Sequence, residues 1–173
     1  SMPRPQKSEY PEYFDRYISL VDADDIAEMI SKYNDAQTGY IDALPDDKAN
    51  FAYAENKWTV KEALQHIIDT ERVFAYRVLA LSRGETQTLT GFDQNIYAQN
   101  CNVKYRAFDD VKEEFKAVRH STNILLWSLS REQLLRVGNI ADYQASANAF
   151  AYNIYGHFIH HQRIFTERYF ALQ

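Results

Sequence analysis

The chain has 173 residues with five glycines, four prolines and one cysteine, which excludes an internal disulfide and an all-β fold needing a turn signal every ~8–12 residues. At 46% hydrophobic residues, with no apolar run of the ~18 residues a membrane span needs, it should form one buried core, stay out of the membrane and reside in the cytoplasm. A net charge of −5 with scattered Lys and Arg speaks against a nucleic-acid partner, whose phosphates call for a basic stripe.

Residues 1–9 are set aside: Ser1 ahead of Met2 reads as an expression scar, and Pro3 to Lys7 as a disordered lead without the pattern of a signal peptide. Residues 10–173 are expected to form a single domain. Tyr10, Tyr13, Phe14, Tyr17, Ile18 and Leu20 predict a segment lying against the fold. The first long helix should begin at Asp22, whose carboxylate caps free backbone N–H groups, with Val21 and Ile26 as a hydrophobic staple. Ile26, Met29, Ile30, Tyr33, Ile41 and Leu44 keep helical spacing, apart from a polar middle, until Pro45.

Thr59 and Glu62 form a capping box that opens the second helix, and Gly84 ends it after an apolar stripe from Val60 to Leu81. A third helix should start at Asp109 or Asp110, the latter paired with Glu113, and carry Val111, Phe115, Val118, Thr122 and Leu126 inward. Ser130 with Gln133 predicts a short helix ending at Gly138, and the fourth long helix runs from Ser146 to Tyr169. Between Gly84 and Phe108 no period is visible, and a loop so long is uncommon in a compact domain. Parallel second and third helices explain it, because the chain must then return along the bundle. The expected fold is therefore all-α, a four-helix bundle running up-down-down-up. Tyr97, Tyr105 and Phe108 would clamp the crossover to its surface.

Five histidines carry the most informative chemistry. His157 and His161 lie one turn apart on the core-facing stripe of the last helix. A single histidine there is more often a satisfied core residue than a ligand; two at this spacing make a metal site an equal reading. His66, on the flank of the second helix's stripe, is the third candidate. Three neutral imidazoles from two helices suit zinc, nickel or a similar divalent ion and leave coordination positions open. Glu62, Asp69 or Thr70 could orient an imidazole, although capping and solvation explain Glu62 and Asp69 equally well. The residue after His157 is Phe158, so no HExxH glutamate is present and a zincin mechanism is excluded. His160, ~100° around the helix from His161, is the candidate catalytic acid–base group or a rim residue, and His120 reads as a surface residue.

The run Asn56-Lys57-Trp58-Thr59-Val60-Lys61-Glu62-Ala63-Leu64-Gln65-His66, continuing through Asp69-Thr70-Glu71-Arg72, with the late Gly156-His157-Phe158-Ile159-His160-His161, resembles the DinB/YfiT-like superfamily. The likeness extends to Arg77 and to Gly91-Phe92-Asp93. It implies a crossover four-helix bundle, assembly as a homodimer, and a zinc or nickel site formed by His66, His157 and His161. Phe158 stands where relatives often carry glutamate. Activities in the superfamily include bacillithiol transfer, mycothiol-dependent isomerisation and some hydrolysis, all on small molecules. A metal-activated thiol does not need the missing glutamate, so the resemblance favours a bacillithiol-type S-transferase with a thiol cosubstrate. A metal-dependent hydrolase and a non-catalytic binding or protective protein are the alternatives. Arg77, Asp93 and Tyr97 are candidates for lining the site. Cys101, in the crossover, has no histidine near it in sequence, so the sulfur of any thiol chemistry would come from the cosubstrate.

Overall fold

The computed structural model describes residues 2–171. In chain order it contains α1 (Asp15–Ile18), α2 (Ile26–Asp42), α3 (Val60–Ser82), α4 (Gln94–Asn100), α5 (Phe108–Trp127), α6 (Arg131–Leu135), strands β1 (Val137–Ile140) and β2 (Tyr143–Ser146), and α7 (Ala147–Ile164). The capping boxes at Thr59/Glu62 and Ser130/Gln133 both form, and Gly84 follows α3 in the left-handed region, φ 84°, that favours glycine. Among the described residues no helix is long and apolar enough to cross a membrane.

Contacts between the long helices settle their directions. Along α3 and α5 they advance together, since Gln65 meets Glu114 and Glu71 meets Arg119, so these helices are parallel. Along α3 and α7 they run in opposite senses: His66 meets His161, and Phe74 meets Phe150. Along α2 and α5, Asn34 meets Asn123 and Asp42 meets Lys116, again antiparallel. The order is up-down-down-up, as the long link predicts.

That link is more structured than its sequence suggests. Asp93 caps α4 by accepting from Asn95 N at 2.8 Å. Leu89 donates to Asn139 O and accepts from Ala141 N, both at 2.8 Å, so the link runs as a third strand beside β1 for one residue. Val103 and Phe108 anchor it in the core. Tyr97 and Tyr105 do not clamp it; they are 43% and 74% exposed, because the turn at Val103–Tyr105 directs Val103 inward and the tyrosine out. The β1–β2 hairpin turns at Ala141-Asp142, with Ala141 at φ 49°, and so lacks the Asn-Gly or Asp-Gly signal that would have marked it.

Three local expectations are corrected. Residues 3–9 are not a disordered lead: Pro3 bridges Asp25, Arg4 donates to the carbonyls of Ile18, Val21 and Ala23, and Glu9 accepts from Ser146. This docking holds 21–25 extended, so α2 is capped by Asp25, which accepts from Glu28 N at 2.8 Å, while Asp22 pairs with Lys32. The Asp110/Glu113 box is also absent; α5 starts earlier, where burial of Phe108 fixes the chain, and Ala107 at the cap offers no side-chain acceptor.

The core is two apolar clusters with a polar belt between them. On α3 one cluster ends at Ile68 and the other begins at Val78. The buried residues between are Thr70, Glu71 and Arg77, all polar. Buried polar groups are costly unless partnered, so this belt is where the bundle's chemistry lies.

Candidate metal centre

Three imidazoles converge at the edge of this belt, His66 lying one turn before Thr70. α3 presents His66, and α7 presents His157 and His161 one turn apart. His157 Nε2 lies 3.2 Å from His66 Nε2 and 3.1 Å from His161 Nε2. One nitrogen from each of the three falls within 4.8 Å of the others. His66 and His157 are buried, and His161 is half-buried.

Burial sets their protonation. It pushes His66 down to about 4, with His160 adding repulsion. It holds His157 and His161 well below the usual imidazole value, reinforced by the positive charge each would see on its neighbours. All three are neutral at pH 7. Thr70 Oγ1 lies 3.4 Å from His66 Nδ1; accepting the Nδ1 proton leaves Nε2 with its lone pair toward the other rings. Two nitrogens each ~2.0–2.1 Å from one tetrahedral ion sit roughly 3.4 Å apart, close to the spacing found here. An all-imidazole donor set of this kind fits zinc or nickel.

The surroundings are aromatic. The Trp58 ring centroid is 4.7 Å from that of His66, and Tyr17 and Phe74 lie 5.5 and 6.1 Å from His157. Gly156 makes the Tyr17 contact feasible: a Cβ there would sit 2.2 Å from the Tyr17 carbonyl oxygen. A cavity of about 270 Å³ touches His66 and His157, and one of about 290 Å³ touches His161. No Asp or Glu among the described residues lines either cavity.

The other sequence candidates separate clearly. His160 lies at the rim, half-buried, its ring 5.4 Å from Tyr17 and 5.1 Å from His161. Burial, then Arg16 and Arg163, holds its pKa low. Arg77 lines the first cavity, whereas Asp93 caps α4 and Tyr97 lies in an outer groove with Cys101. Glu62 is committed to its cap, Asp69 accepts from Gln65, and His120 is exposed. Thr70 alone of the proposed orienting residues reaches an imidazole.

Sequence reasoning missed the buried network beside the histidines. Arg119 donates to both oxygens of Glu71 and, at 2.7 Å, to Gln37 Oε1, with its guanidinium 4.2 Å from the Tyr155 ring centroid. Gln37, Glu71, Arg119 and Tyr155 come from α2, α3, α5 and α7, so all four helices meet at one ion pair. The available signals were Arg119 between Phe115 and Thr122 on the stripe of α5, and Gln37 in the polar middle of α2.

The fold and site define a crossover four-helix bundle with a three-histidine centre shared by its second and fourth long helices. The sequence profile of the DinB superfamily matches residues 32–165, and the chain belongs to that superfamily. Among solved structures it is similar to YfiT from Bacillus subtilis, described as a probable metal-dependent hydrolase with an unusual four-helix bundle topology. That likeness has a TM-score of 0.65 at 15% identity, covers 96% of this chain and 94% of that one, and speaks to the fold. No curated protein matches the chain in sequence.

Proposed function

We propose that this protein is a metal-dependent enzyme in which His66, His157 and His161 hold one zinc or nickel ion and activate a low-molecular-weight thiol, of the bacillithiol type, for transfer to a small electrophile. The carrying observation is the convergence of three imidazoles, which burial keeps neutral, beside cavities that no carboxylate among the described residues lines. A bound divalent ion would supply Lewis acidity, lowering the pKa of a thiol or water and favouring its nucleophilic form. Thiols ionise near pH 8.5 unaided, so this chemistry makes little demand on a protein base. Thr70, 3.4 Å from His66 Nδ1, would fix the tautomer of His66, while Trp58, Tyr17 and Phe74 give the histidines an apolar flank.

Hydrolysis is the second reading, and one observation favours it: half-buried His160, beside His161, can pass a proton between the site and solvent. His160 is the acid–base residue in that case.

Metal analysis of tag-free protein should find about one ion per chain, lost in His157→Ala. Absence of metal from both proteins refutes the proposal. With metal present, turnover of electrophiles with bacillithiol supports thiol transfer, and turnover of esters or amides without thiol supports hydrolysis. A metal-loaded protein inert in both assays is a binding or protective protein.

A further inference from the structure

The cavity beside His66 and His157 contains a cation, Arg77, that no carboxylate among the described residues neutralises. Arg77 is 4% exposed, yet its one hydrogen-bond acceptor among the described residues is Thr90 O, at 2.9 Å, and no carboxylate pairs with it. Its guanidinium instead packs against Phe74, Phe92 and Phe150, with centroids 5.4–5.8 Å away. Buried guanidinium groups are ordinarily paired with an anion; Arg119, in the same belt, shows the usual solution. Arg77 lines the cavity and keeps most of its five N–H donors free for an occupant.

Asn153 is an independent second mark. It is 1% exposed, lines the same cavity one turn before His157, and its Oδ1 has no hydrogen-bond partner. Asn148 Oδ1 is also unpartnered, but its amide nitrogen is bound to Pro3 O and it does not line the cavity. Asn153 thus offers an amide to something within the cavity.

Position connects these marks to the histidines. His66, Thr70, Phe74 and Arg77 follow one another along a single face of α3 and all line the cavity. The eleven-residue offset from His66 to Arg77 is a rise of ~16 Å, shortened because a helical side chain leans toward the N-terminus, here toward His66. At about 270 Å³ the space lies at the small end of ligand sites.

We propose that this cavity takes a small organic carboxylate, its carboxylate gripped by Arg77, a neighbouring amide-type group paired with Asn153, and its far end directed to the His66–His157 edge. This rests on the reading of the three histidines as the reaction centre and names the substrate class for it. A carboxylate is favoured over phosphate because, among the described residues, Arg77 is the sole Lys or Arg lining the cavity, and one planar fork matches one planar monoanion.

The test compares N-acetylglycine and N-benzoylglycine with their primary amides and with inorganic phosphate, by calorimetric titration of tag-free protein in chelator-stripped and zinc-loaded forms. Each carboxylate should bind at least tenfold tighter than its amide in both forms. Arg77→Met, which keeps the packing among the phenylalanines, should erase that ratio without changing zinc content. Asn153→Leu should weaken the N-acyl carboxylates several-fold at unchanged zinc content. Equal binding of acid and amide, or a ratio unchanged in Arg77→Met, overturns the assignment. A preference seen only with zinc places the carboxylate on the metal and also overturns it; tighter phosphate binding overturns the carboxylate class. A preference that holds in protein unable to retain zinc sustains the Arg77 site while refuting the metal reading. If Arg77→Met does not fold, the wild-type acid-to-amide ratio in stripped protein decides, with Arg77→Lys expected to lower it.

Discussion

Glu71→Gln should be among the most damaging single-atom-scale changes available in this bundle. The exchange leaves the Arg119 guanidinium in place, with Arg119 and Glu71 side chains 1% and 2% exposed, but removes the charge opposite it. Three hydrogen bonds of 2.9–3.2 Å from Nε and Nη2 to the carboxylate are affected. Breaking one partner of a buried pair costs about 3–5 kcal/mol, because the remaining charge stays desolvated. For a chain of this size about 2–4 °C of Tm goes with each kcal/mol, so the expected fall is roughly 6–20 °C. The same pair, with Gln37, ties α2, α3 and α5 together and lies beside α7, and this should contribute to the register that brings His66 to His157. Zinc affinity should therefore fall together with stability. Removing the whole polar unit in Gln37→Leu/Glu71→Leu/Arg119→Met should recover most of the stability, since the desolvation cost leaves with the charges, while zinc affinity stays below wild type. Thermal and urea unfolding followed by circular dichroism, with zinc titrations on the same samples, measure both effects. A loss below about 1 kcal/mol for Glu71→Gln would show that the pair is effectively solvated, and wild-type zinc affinity in the triple variant would refute its role in register.

Gly156→Ala should destabilise by about 1–3 kcal/mol or more, since the new Cβ meets the Tyr17 backbone at 2.2 Å, oxygen, and 2.6 Å, carbon, rather than a side chain that can move; an unchanged Tm contradicts this close approach. Thr70→Val keeps the shape but removes the acceptor at His66 Nδ1, and should cost 10–100-fold in zinc affinity with little loss of fold; unaltered affinity in a competition titration argues against the orienting role. Metal-free protein should lose stability as pH falls from 7 to 4. His66 has a folded value of about 4 against 6.5 when unfolded, so the unfolded chain binds the extra proton throughout this window, at a cost approaching about 3 kcal/mol near pH 4. His66→Gln should flatten that part of the pH–stability profile, and an unchanged slope would mean that His66 is not held neutral by burial.

Much of the bundle was legible because its signals are local. Thr59 with Glu62 and Ser130 with Gln133 need only neighbouring residues to act as caps, and they act as the sequence predicts; α7 begins after Ser146, where the sequence places the fourth helix. The i,i+4 spacing of His157 and His161 similarly fixes one shared face whatever surrounds it. The failures occur where a distant segment intervenes. Asp22 and Asp25 are equally good caps in sequence, and Arg4, with Pro3, selects Asp25 by holding the carbonyls and backbone before it. Asp110 loses to Phe108 because a buried ring outweighs a solvent-exposed box. The hairpin turns on Ala141-Asp142 and is held in place by Leu89, far from it in sequence.

The sequence by itself determined the four long helices, their order and the three histidines, since periodicity, caps and spacing are properties of a few adjacent residues. Tertiary structure alone decided that His66 Nε2 lies 3.2 Å from His157 Nε2, that Arg119 finds Glu71 and Gln37, and that Arg77, with no carboxylate partner among the described residues, shares a cavity with Asn153, whose Oδ1 is unpartnered. Each of these depends on axial register and rotation between helices. That register is set by the sum of packing against both apolar clusters and by close approaches such as Tyr17 on Gly156, which no single segment of the chain encodes.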